Sequence, residues 1–294
     1  MDPLEQIRQR RQTGPVQAPQ DARPQLTLLK GIRAVVFDIY GTLFSSGVGD
    51  ISLATEEDRN DALQQTLLEN RIQLTNTGRA ARLDQRLHEH IRRHQSDRRE
   101  DGIEYPEVEI RDVWRDFIVE LDKDGWTQDA SHADSTALAI DYETRVNPTQ
   151  PMPGLEEALA ALRGRGLVMS IVSNAQFYTP LLFDAFLGQP LETLGLCQDC
   201  AVWSYRLLEA KPSAELYRQS AARLYKQYNI LPKEVLYVGN DMRNDIWPAQ
   251  ETGYKTALFA GDRLSLRRRQ EDPRCCNVQP DLEITGLQQL TDCV

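Results

Sequence analysis

The stretch RAVVFDIYGTL at residues 33–43 decides the fold, because a short apolar run in it ends abruptly at the carboxylate of Asp38. Apolar runs of this length that are rich in β-branched residues are typical of buried parallel strands. Ligands of open α/β sheets bind just beyond the carboxyl ends of such strands. Gly41 follows closely and lets the chain turn away tightly. We therefore expect Asp38 at a ligand-binding edge; the alternative is an aspartate that caps the next turn.

Three later stretches also place polar residues where an element begins or ends. A second apolar run ends in Ser173 and Asn174, and a third ends in the segment GNDMRND at residues 239–245. Lys211 stands directly before a segment with the spacing of an amphipathic helix. Strand and helix patterns alternate through this part of the chain. This alternation predicts an α/β fold, a parallel sheet with helices on both faces.

The order of these motifs (Asp, then Ser, then Lys, then paired acids) resembles the haloacid dehalogenase-like (HAD) hydrolase superfamily. The resemblance covers residues 32–44 and 151–261. It implies a Rossmann-like, doubly wound parallel sheet with an inserted helical cap domain. The expected divisions are a disordered N-terminal arm at 1–26, a core at 27–47 and 150–294, and a cap at 48–149.

The segment from residue 53 to residue 142 has helical spacing throughout. Leucine and isoleucine recur there at intervals of three and four, and no strand pattern interrupts them. The resemblance therefore implies a helical cap over Asp38, with hinges near 45–50 and 147–153. The arm before the core is rich in Gln, Arg and Pro without apolar periodicity, which is typical of a solvated, disordered tail.

The resemblance also implies a role for each residue of the first three motifs. Asp38 would be the nucleophile and would form an aspartyl intermediate. Ser173 and Asn174 would bind the transferring group through hydrogen bonds. Lys211 would hold both the nucleophile and the developing charge. Thr42 would order the loop.

Carboxylates at strand ends would meet at one edge of the sheet and offer oxygen-only ligands, which suit Mg²⁺. The candidate metal ligands are Asp38, Tyr40, Asp241 and Asp245, with Asn240 and Asn244 in support. The register of this last motif is open. Phosphatases of the superfamily usually place an aspartate directly after the glycine, and this chain has Asn240 there, with Asp241 one residue later.

Tyr40 departs from the phosphatase pattern. Phosphatases of the superfamily carry a second aspartate two residues after the nucleophile, and it protonates the leaving group. A tyrosine, whose unperturbed pKa is about 10, is a poor acid at neutral pH. The first motif is instead similar to that of L-2-haloacid dehalogenases, which carry Asp-x-Tyr-Gly-Thr and release a halide that needs no proton.

Three functions stay open. The favoured one is Mg²⁺-dependent hydrolysis of a small phosphate ester. The enzymatic alternative is metal-independent 2-haloacid dehalogenation. The third is a catalytically degenerate module that binds a partner.

Composition limits the partners. The formal net charge of −10 argues against non-specific binding to nucleic acid or to an anionic membrane, and no apolar run has the length of a membrane span. Five cysteines, an odd number, do not suggest a disulfide framework, and no signal-peptide pattern opens the chain. We expect a cytoplasmic protein with reduced thiols that acts on a small anionic substrate, as a monomer or a homodimer.

Secondary features favour ordinary roles. Cys197-x-x-Cys200 has redox or zinc spacing but lacks a second pair at zinc-ribbon distance. The run Arg267–Arg269 could meet an anion, although a solvated face is the more usual role of such a run. Three histidines at residues 88, 90 and 94 are expected at the surface of a cap helix.

Overall fold

The computed structural model describes residues 2–46 and 56–294 of the chain. The helices are α1 (Pro3–Gln9), α2 (Glu56–Glu69), α3 (Asn76–Ala80), α4 (Leu83–Glu100), α5 (Ile110–Lys123), α6 (Ser135–Val146), α7 (Leu155–Gly164), α8 (Leu181–Leu187), α9 (Ser204–Leu207), α10 (Ala214–Tyr228), α11 (Trp247–Glu251) and α12 (Leu290–Cys293). The strands are β1 (Ala34–Phe37), β2 (Phe44–Ser46), β3 (Thr149–Pro151), β4 (Val168–Ser173), β5 (Val202–Trp203), β6 (Val235–Gly239), β7 (Lys255–Phe259) and β8 (Leu282–Ile284). A π-helical turn occupies Met242–Ile246.

Six of these strands form one sheet in the order β5-β4-β1-β6-β7-β8, and every pair in it is parallel. β1 lies between β4 and β6, so the residues that follow these three strands emerge side by side. The predicted Rossmann-like α/β fold is confirmed.

Alternate residues of β1 face opposite sides of the sheet, and helices cover both sides. Val35 and Phe37 pack into one core cluster, whereas Ala34 and Val36 pack into another with Tyr237. All four residues of β1 are buried. Burial on both faces explains why the strand reads as a continuous apolar run rather than an alternating one.

Helices α2, α4, α5 and α6 share a separate apolar cluster, which includes Trp114 and Phe117 of α5. The chain passes into and out of these helices beside the antiparallel pair β2–β3, in which Phe44 lies opposite Pro151. Ser45 and Ser46 of the expected first hinge belong to β2, and residues 47–50 lie outside the described part of the chain. The mobility of a cap and the boundaries of the domains stay predictions.

The prediction of a disordered arm at residues 1–26 is wrong for the residues that the structure describes. Helix α1 packs against α8 and α6, and Ile7 is buried. Arg10 forms ion pairs with Asp141 of α6 and Glu69 of α2. The polar composition misled because Arg10 pairs with carboxylates that lie far away in sequence.

Among residues 2–46 and 56–294, no helix combines the length and the apolar character needed to cross a membrane.

Candidate active site

The predicted site residues lie at the carboxyl ends of the three central strands. Asp38 directly follows β1, Ser173 is the last residue of β4, and Asn240 directly follows β6. Adjacent strands are about 5 Å apart, so these positions are neighbours. A cavity of about 220 Å³ opens here, which we call the strand-end cavity. It is lined by Asp38, Tyr40, Asn174, Lys211, Asn240, Asp241, Asn244, Asp245, Ser265, Arg267 and Arg269.

A buried lysine joins two carboxylates at the centre of the site. Nζ of Lys211 lies 2.7 Å from Oδ1 of Asp38 and 2.6 Å from Oδ1 of Asp245. Burial alone would lower the pKa of Lys211, but the charges of Asp245 and Asp38 outweigh burial and hold this pKa above its ordinary value. Lys211 therefore stays charged. Burial also raises the pKa of Asp245, against the opposing effect of the ammonium group of Lys211.

The Asp38 carboxylate has one occupied oxygen and one open oxygen. Oδ1 accepts a hydrogen bond from the hydroxyl of Ser173 at 2.7 Å in addition to its contact with Lys211. Oδ2 has no hydrogen-bond partner within the described ranges of the chain. The carboxylate is thus held in one orientation with a free oxygen, which is the arrangement that a nucleophile requires.

The side-chain amide of Asn174 positions Lys211. Its Oδ1 accepts a hydrogen bond of 2.7 Å from the backbone N–H of Lys211. Helix α10 follows and begins at Ala214, with Ser213 as its N-cap. Asn174 also lines the strand-end cavity, and its role in binding the transferring group stays a prediction.

The side chain of Thr42 connects the loop after β1 to the residue that follows β6, and its role in ordering the loop stays a prediction. Its side chain is fully buried, and its hydroxyl donates to Oδ1 of Asn240 at 3.3 Å. The amide of Asn240 donates in turn to the carbonyl of Ser265 at 2.6 Å. Gly41 has a φ of +83°, and a Cβ atom there would collide with the side chains of Asn240 and Ser265. Only glycine therefore fits at this position.

The structure argues against Asp245 as a metal ligand. Its Oδ1 accepts from Lys211 and from the hydroxyl of Tyr237 at 3.1 Å, and its Oδ2 accepts from the N–H of Asp241 at 2.9 Å. Both carboxylate oxygens are therefore occupied. A side chain at Gly239 would collide with this carboxylate, which explains the glycine at the end of β6.

Asp241 likewise has hydrogen-bond partners on both carboxylate oxygens, and its role as a metal ligand stays a prediction. The guanidinium of Arg269 binds both carboxylate oxygens, with Nη2 at 2.7 Å from Oδ2 and Nε at 3.1 Å from Oδ1. Oδ1 also accepts from the backbone N–H groups of Arg243 and Asn244, and Oδ2 accepts from the Asn244 side chain. Asp241 therefore caps the π-helical turn and anchors Arg269.

Two polar groups of the cavity nevertheless fit a magnesium ion. Oδ2 of Asp38 is open. The amide oxygen of Asn240, which lines the same cavity, accepts one long hydrogen bond of 3.3 Å from Thr42 and keeps its second lone pair. Mg²⁺ binds through few protein oxygens and completes its shell with water and substrate phosphate. Within the described ranges, no group of three or more His, Cys, Asp or Glu side chains could hold a metal.

The hydroxyl of Tyr40 lies 3.0 Å from the hydroxyl of Thr179. Burial raises the pKa of Tyr40, and the nearby charges of Glu143 and Asp38 raise it further, while the hydrogen bond to Thr179 acts in the opposite direction. The phenol therefore stays neutral and is a weaker acid than a free tyrosine. The interaction with Thr179 indicates that the Tyr40 side chain is not a metal ligand.

Several neighbours of the site carried no sequence signal strong enough to find them. Tyr237 lies within an apolar strand, and Ser265 lies in a loop far along the chain. Arg269 belongs to an arginine run of a kind that usually forms a solvent-exposed face. The expectation for His90 is also corrected, because its ring is buried against Phe117.

The cysteines and the remaining histidines add no second site. Cys197 and Cys200 are free thiols that both contact Oε1 of Gln227. His94 lies 2.8 Å from the carboxylate of Asp116 at the surface of the helices.

Comparison with known proteins decides the family. The family model for haloacid dehalogenase-like hydrolases matches residues 32–253, which is more than half of the chain. The chain belongs to the haloacid dehalogenase-like hydrolases. This HAD-like hydrolase is therefore an enzyme, and its residues 38, 173 and 211 lie within the matched region.

Individual relatives are more distant. This HAD-like hydrolase is 28% identical over 145 residues to ribulose-1,5-bisphosphate 5-phosphatase of Halopiger xanaduensis, a match that covers 49% of the chain and 56% of that protein. The match thus spans about half the length of the curated relative.

Solved structures share the fold. A 2-haloacid dehalogenase from Pseudomonas syringae pv. Tomato DC3000 has a TM-score of 0.54 and 18% identity, with 89% of this chain and 97% of that chain covered. A HAD phosphatase from Thermococcus onnurineus has a TM-score of 0.50 and 19% identity over 89% and 97% of the two chains. The fold therefore accommodates both chemistries, and it does not choose between them.

Proposed function

We propose that this chain hydrolyses phosphate monoesters through a covalent intermediate on Asp38. The observation that carries this proposal is the carboxylate of Asp38, fixed by Ser173 and Lys211 at 2.7 Å each, with its second oxygen open. A nucleophile needs one exposed lone pair in a fixed direction. The buried ammonium group beside it attracts the anionic substrate and stabilises charge that develops during transfer.

The reaction proceeds in two balanced steps. Oδ2 of Asp38 forms a bond to phosphorus while the ester P–O bond breaks and its electron pair leaves with the alcohol oxygen. Water then attacks the phosphorus of the aspartyl phosphate, which releases inorganic phosphate and restores the carboxylate. One proton of that water ends on phosphate or solvent, and the leaving oxygen takes its proton from solvent.

The cations and polar groups of the cavity suit a phosphoryl group. Arg267 and Arg269 line the same cavity as Lys211, and Asn240 contributes its side chain. Mg²⁺, held by Asp38 and Asn240, would neutralise part of the charge on the substrate. Asp241 is anchored to Arg269 and is not part of this proposed metal site.

Leaving-group protonation is the weak point of this site. Tyr40 occupies the position of the usual acid, yet its phenol is buried and bonded to Thr179. General acid catalysis is commonly worth about 10²–10⁴-fold in rate. We therefore expect activated esters to be hydrolysed much faster than alkyl phosphates.

Dehalogenation is the second candidate, and two observations favour it. Tyr40 resembles the dehalogenase motif, and Arg269 engages the aspartate that was expected to bind metal. A halide needs neither a proton nor a metal when it leaves.

The test compares the two substrate classes with one protein. We expect the purified full chain to hydrolyse p-nitrophenyl phosphate with added Mg²⁺ and to leave 2-chloropropionate unchanged. Asp38→Asn should lower phosphate release by at least about 10³-fold. Asp292→Asn, at an exposed aspartate near the end of the chain, is the matched control and should stay within about twofold. Consumption of the 2-haloacid without phosphate release would replace the proposal with dehalogenation.

A further inference from the structure

A second cavity of about 390 Å³ adjoins the strand-end cavity, and we call it the side pocket. Helices α4, α5 and α6 form one side of it, and the loop after β4 forms the other. Tyr40 and Asn174 line both cavities, so a molecule whose phosphate reaches Asp38 would place its organic part in the side pocket. The volume lies in the usual range for small-molecule sites.

The walls of the side pocket are mostly apolar. Leu87 and Ile91 of α4, Trp114 of α5 and Ala139 of α6 contribute side chains, and Tyr142 adds an aromatic ring. Trp114 lies edge-on to Tyr142, with ring centroids 5.7 Å apart. Such walls favour a flat apolar or aromatic group over a polyhydroxylated chain.

The side pocket also contains polar and ionisable side chains. The carboxyls of Glu107 and Glu143 line it, and each is hydrogen-bonded, to Ser204 and to Asn147 respectively. Arg59 contributes a guanidinium group and His88 an ionisable ring, and no lysine is present among the described lining residues. Burial raises the pKa of both glutamates.

We infer that the substrates are phosphate monoesters of aromatic alcohols, in which a phenol-type ring occupies the side pocket and the phosphate occupies the strand-end cavity. This inference rests on the proposed function. Two independent observations meet in it: the apolar walls fit the ring, and the missing acid at residue 40 demands a leaving group that needs no proton. A phenol has a pKa of about 10, whereas an alkyl alcohol is far less acidic, so aryl esters satisfy this demand.

Four phosphate compounds, used as substrates, separate the effect of ring size from the effect of leaving-group acidity. Phenyl and 1-naphthyl phosphate have similar leaving groups and differ in apolar area. Benzyl phosphate has an aromatic ring on an alkyl oxygen. Acetyl phosphate has an activated but small leaving group and needs no side pocket.

We expect kcat/KM to rise about 10-fold from phenyl to 1-naphthyl phosphate, mainly through KM. Benzyl phosphate should be slower than phenyl phosphate by about 10²-fold or more, mainly through kcat. Ribulose 1,5-bisphosphate should be a poor substrate, since its polyhydroxylated chain would face the apolar walls of the side pocket.

Filling the side pocket tests its use directly. Ala139→Leu should raise KM for 1-naphthyl phosphate about 10-fold relative to acetyl phosphate. Ile91→Trp fills the same space from α4 and serves if the first variant is misfolded by circular dichroism. Ala137→Leu, on α6 but outside the lining, is the matched control and should change neither ratio.

The outcomes distinguish this inference from the proposed function. If acetyl phosphate is hydrolysed in an Asp38-dependent manner while aryl esters show no advantage, the inference fails and the function stands. The same holds if both pocket-filling variants fold and leave the naphthyl ratio unchanged. If no phosphate compound is hydrolysed, the proposed function fails and the inference falls with it.

Discussion

Replacing Lys211 with methionine should destabilise the fold through the two carboxylates left behind. The Lys211 side chain is 4% exposed, and its ammonium group contacts Asp38 and Asp245, whose side chains are 8% and 1% exposed. Removing one partner of a buried ion pair commonly costs about 3–5 kcal/mol. Each carboxylate keeps one side-chain donor, from Ser173 or Tyr237, so we expect the lower part of that range, about 3 kcal/mol.

Urea unfolding followed by tryptophan fluorescence measures this loss, and thermal unfolding should show a Tm lower by roughly 6–12 °C. The matched control is Lys255→Met, which removes an ion pair to Asp281 that is 2.7 Å long but 47% exposed at the lysine. An exposed pair contributes only about 0–1 kcal/mol. The double variant Lys211→Met, Asp245→Asn should regain part of the loss, because one of the two carboxylates is then neutral.

A free energy of unfolding for Lys211→Met within about 1 kcal/mol of the parent would refute this reasoning. It would mean that the two carboxylates do not need the ammonium group in the folded protein. Failure of the double variant to recover any stability would show that Asp245 is not the residue left unpaired.

Three other variants probe the surroundings of the site. Burial raises the pKa of Glu143, so the protonated carboxyl stabilises the fold fully below its unfolded pKa, and this contribution is lost as pH rises through its folded pKa. The Tm of Glu143→Gln should therefore rise relative to the Tm of the parent when the pH is raised from 5 to 8. The exposed control Glu156→Gln should show no such relative rise. Arg10→Ala should cost about 1–3 kcal/mol in urea unfolding, because the buried carboxylate of Asp141 loses a charged donor. Tyr40→Asp should raise turnover of alkyl phosphates by about 10-fold or more relative to p-nitrophenyl phosphate; an unchanged ratio in steady-state assays would show that a carboxyl at this position does not reach the leaving oxygen.

Sequence patterns predicted the strand ends because burial on both faces of a parallel sheet leaves a simple signal. The apolar runs that end at Asp38 and Ser173 form β1 and β4. These two strands are adjacent in the sheet, so Asp38 and Ser173 lie close together. β8 is only three residues long, Leu282–Ile284, which is too short for a recognisable run. The helical spacing across α4 and α5 was likewise strong enough to read directly.

Partners that are distant in sequence could not be predicted. Asp241 binds Arg269 through a contact that depends on how the loop after β7 folds back over β6. The position of Asn174 in its motif is the same whether its amide faces a substrate or the backbone of Lys211, so the sequence could not distinguish the two orientations. The prediction of a disordered N-terminal arm failed for a related reason. Tertiary structure brings Asp141 to Arg10, and the polar composition of the arm does not reveal such a distant partner.

Chemical trapping of the intermediate examines the role of Asp38 most directly. The full chain is mixed with 1-naphthyl phosphate and Mg²⁺, quenched in acid during turnover, and digested for mass spectrometry. We expect the peptide that contains Asp38 to gain the mass of one phosphoryl group at that residue, and we expect no such gain in Asp38→Asn. Turnover that continues with an unmodified Asp38 peptide, or with the phosphoryl group on another residue, would contradict the proposed mechanism.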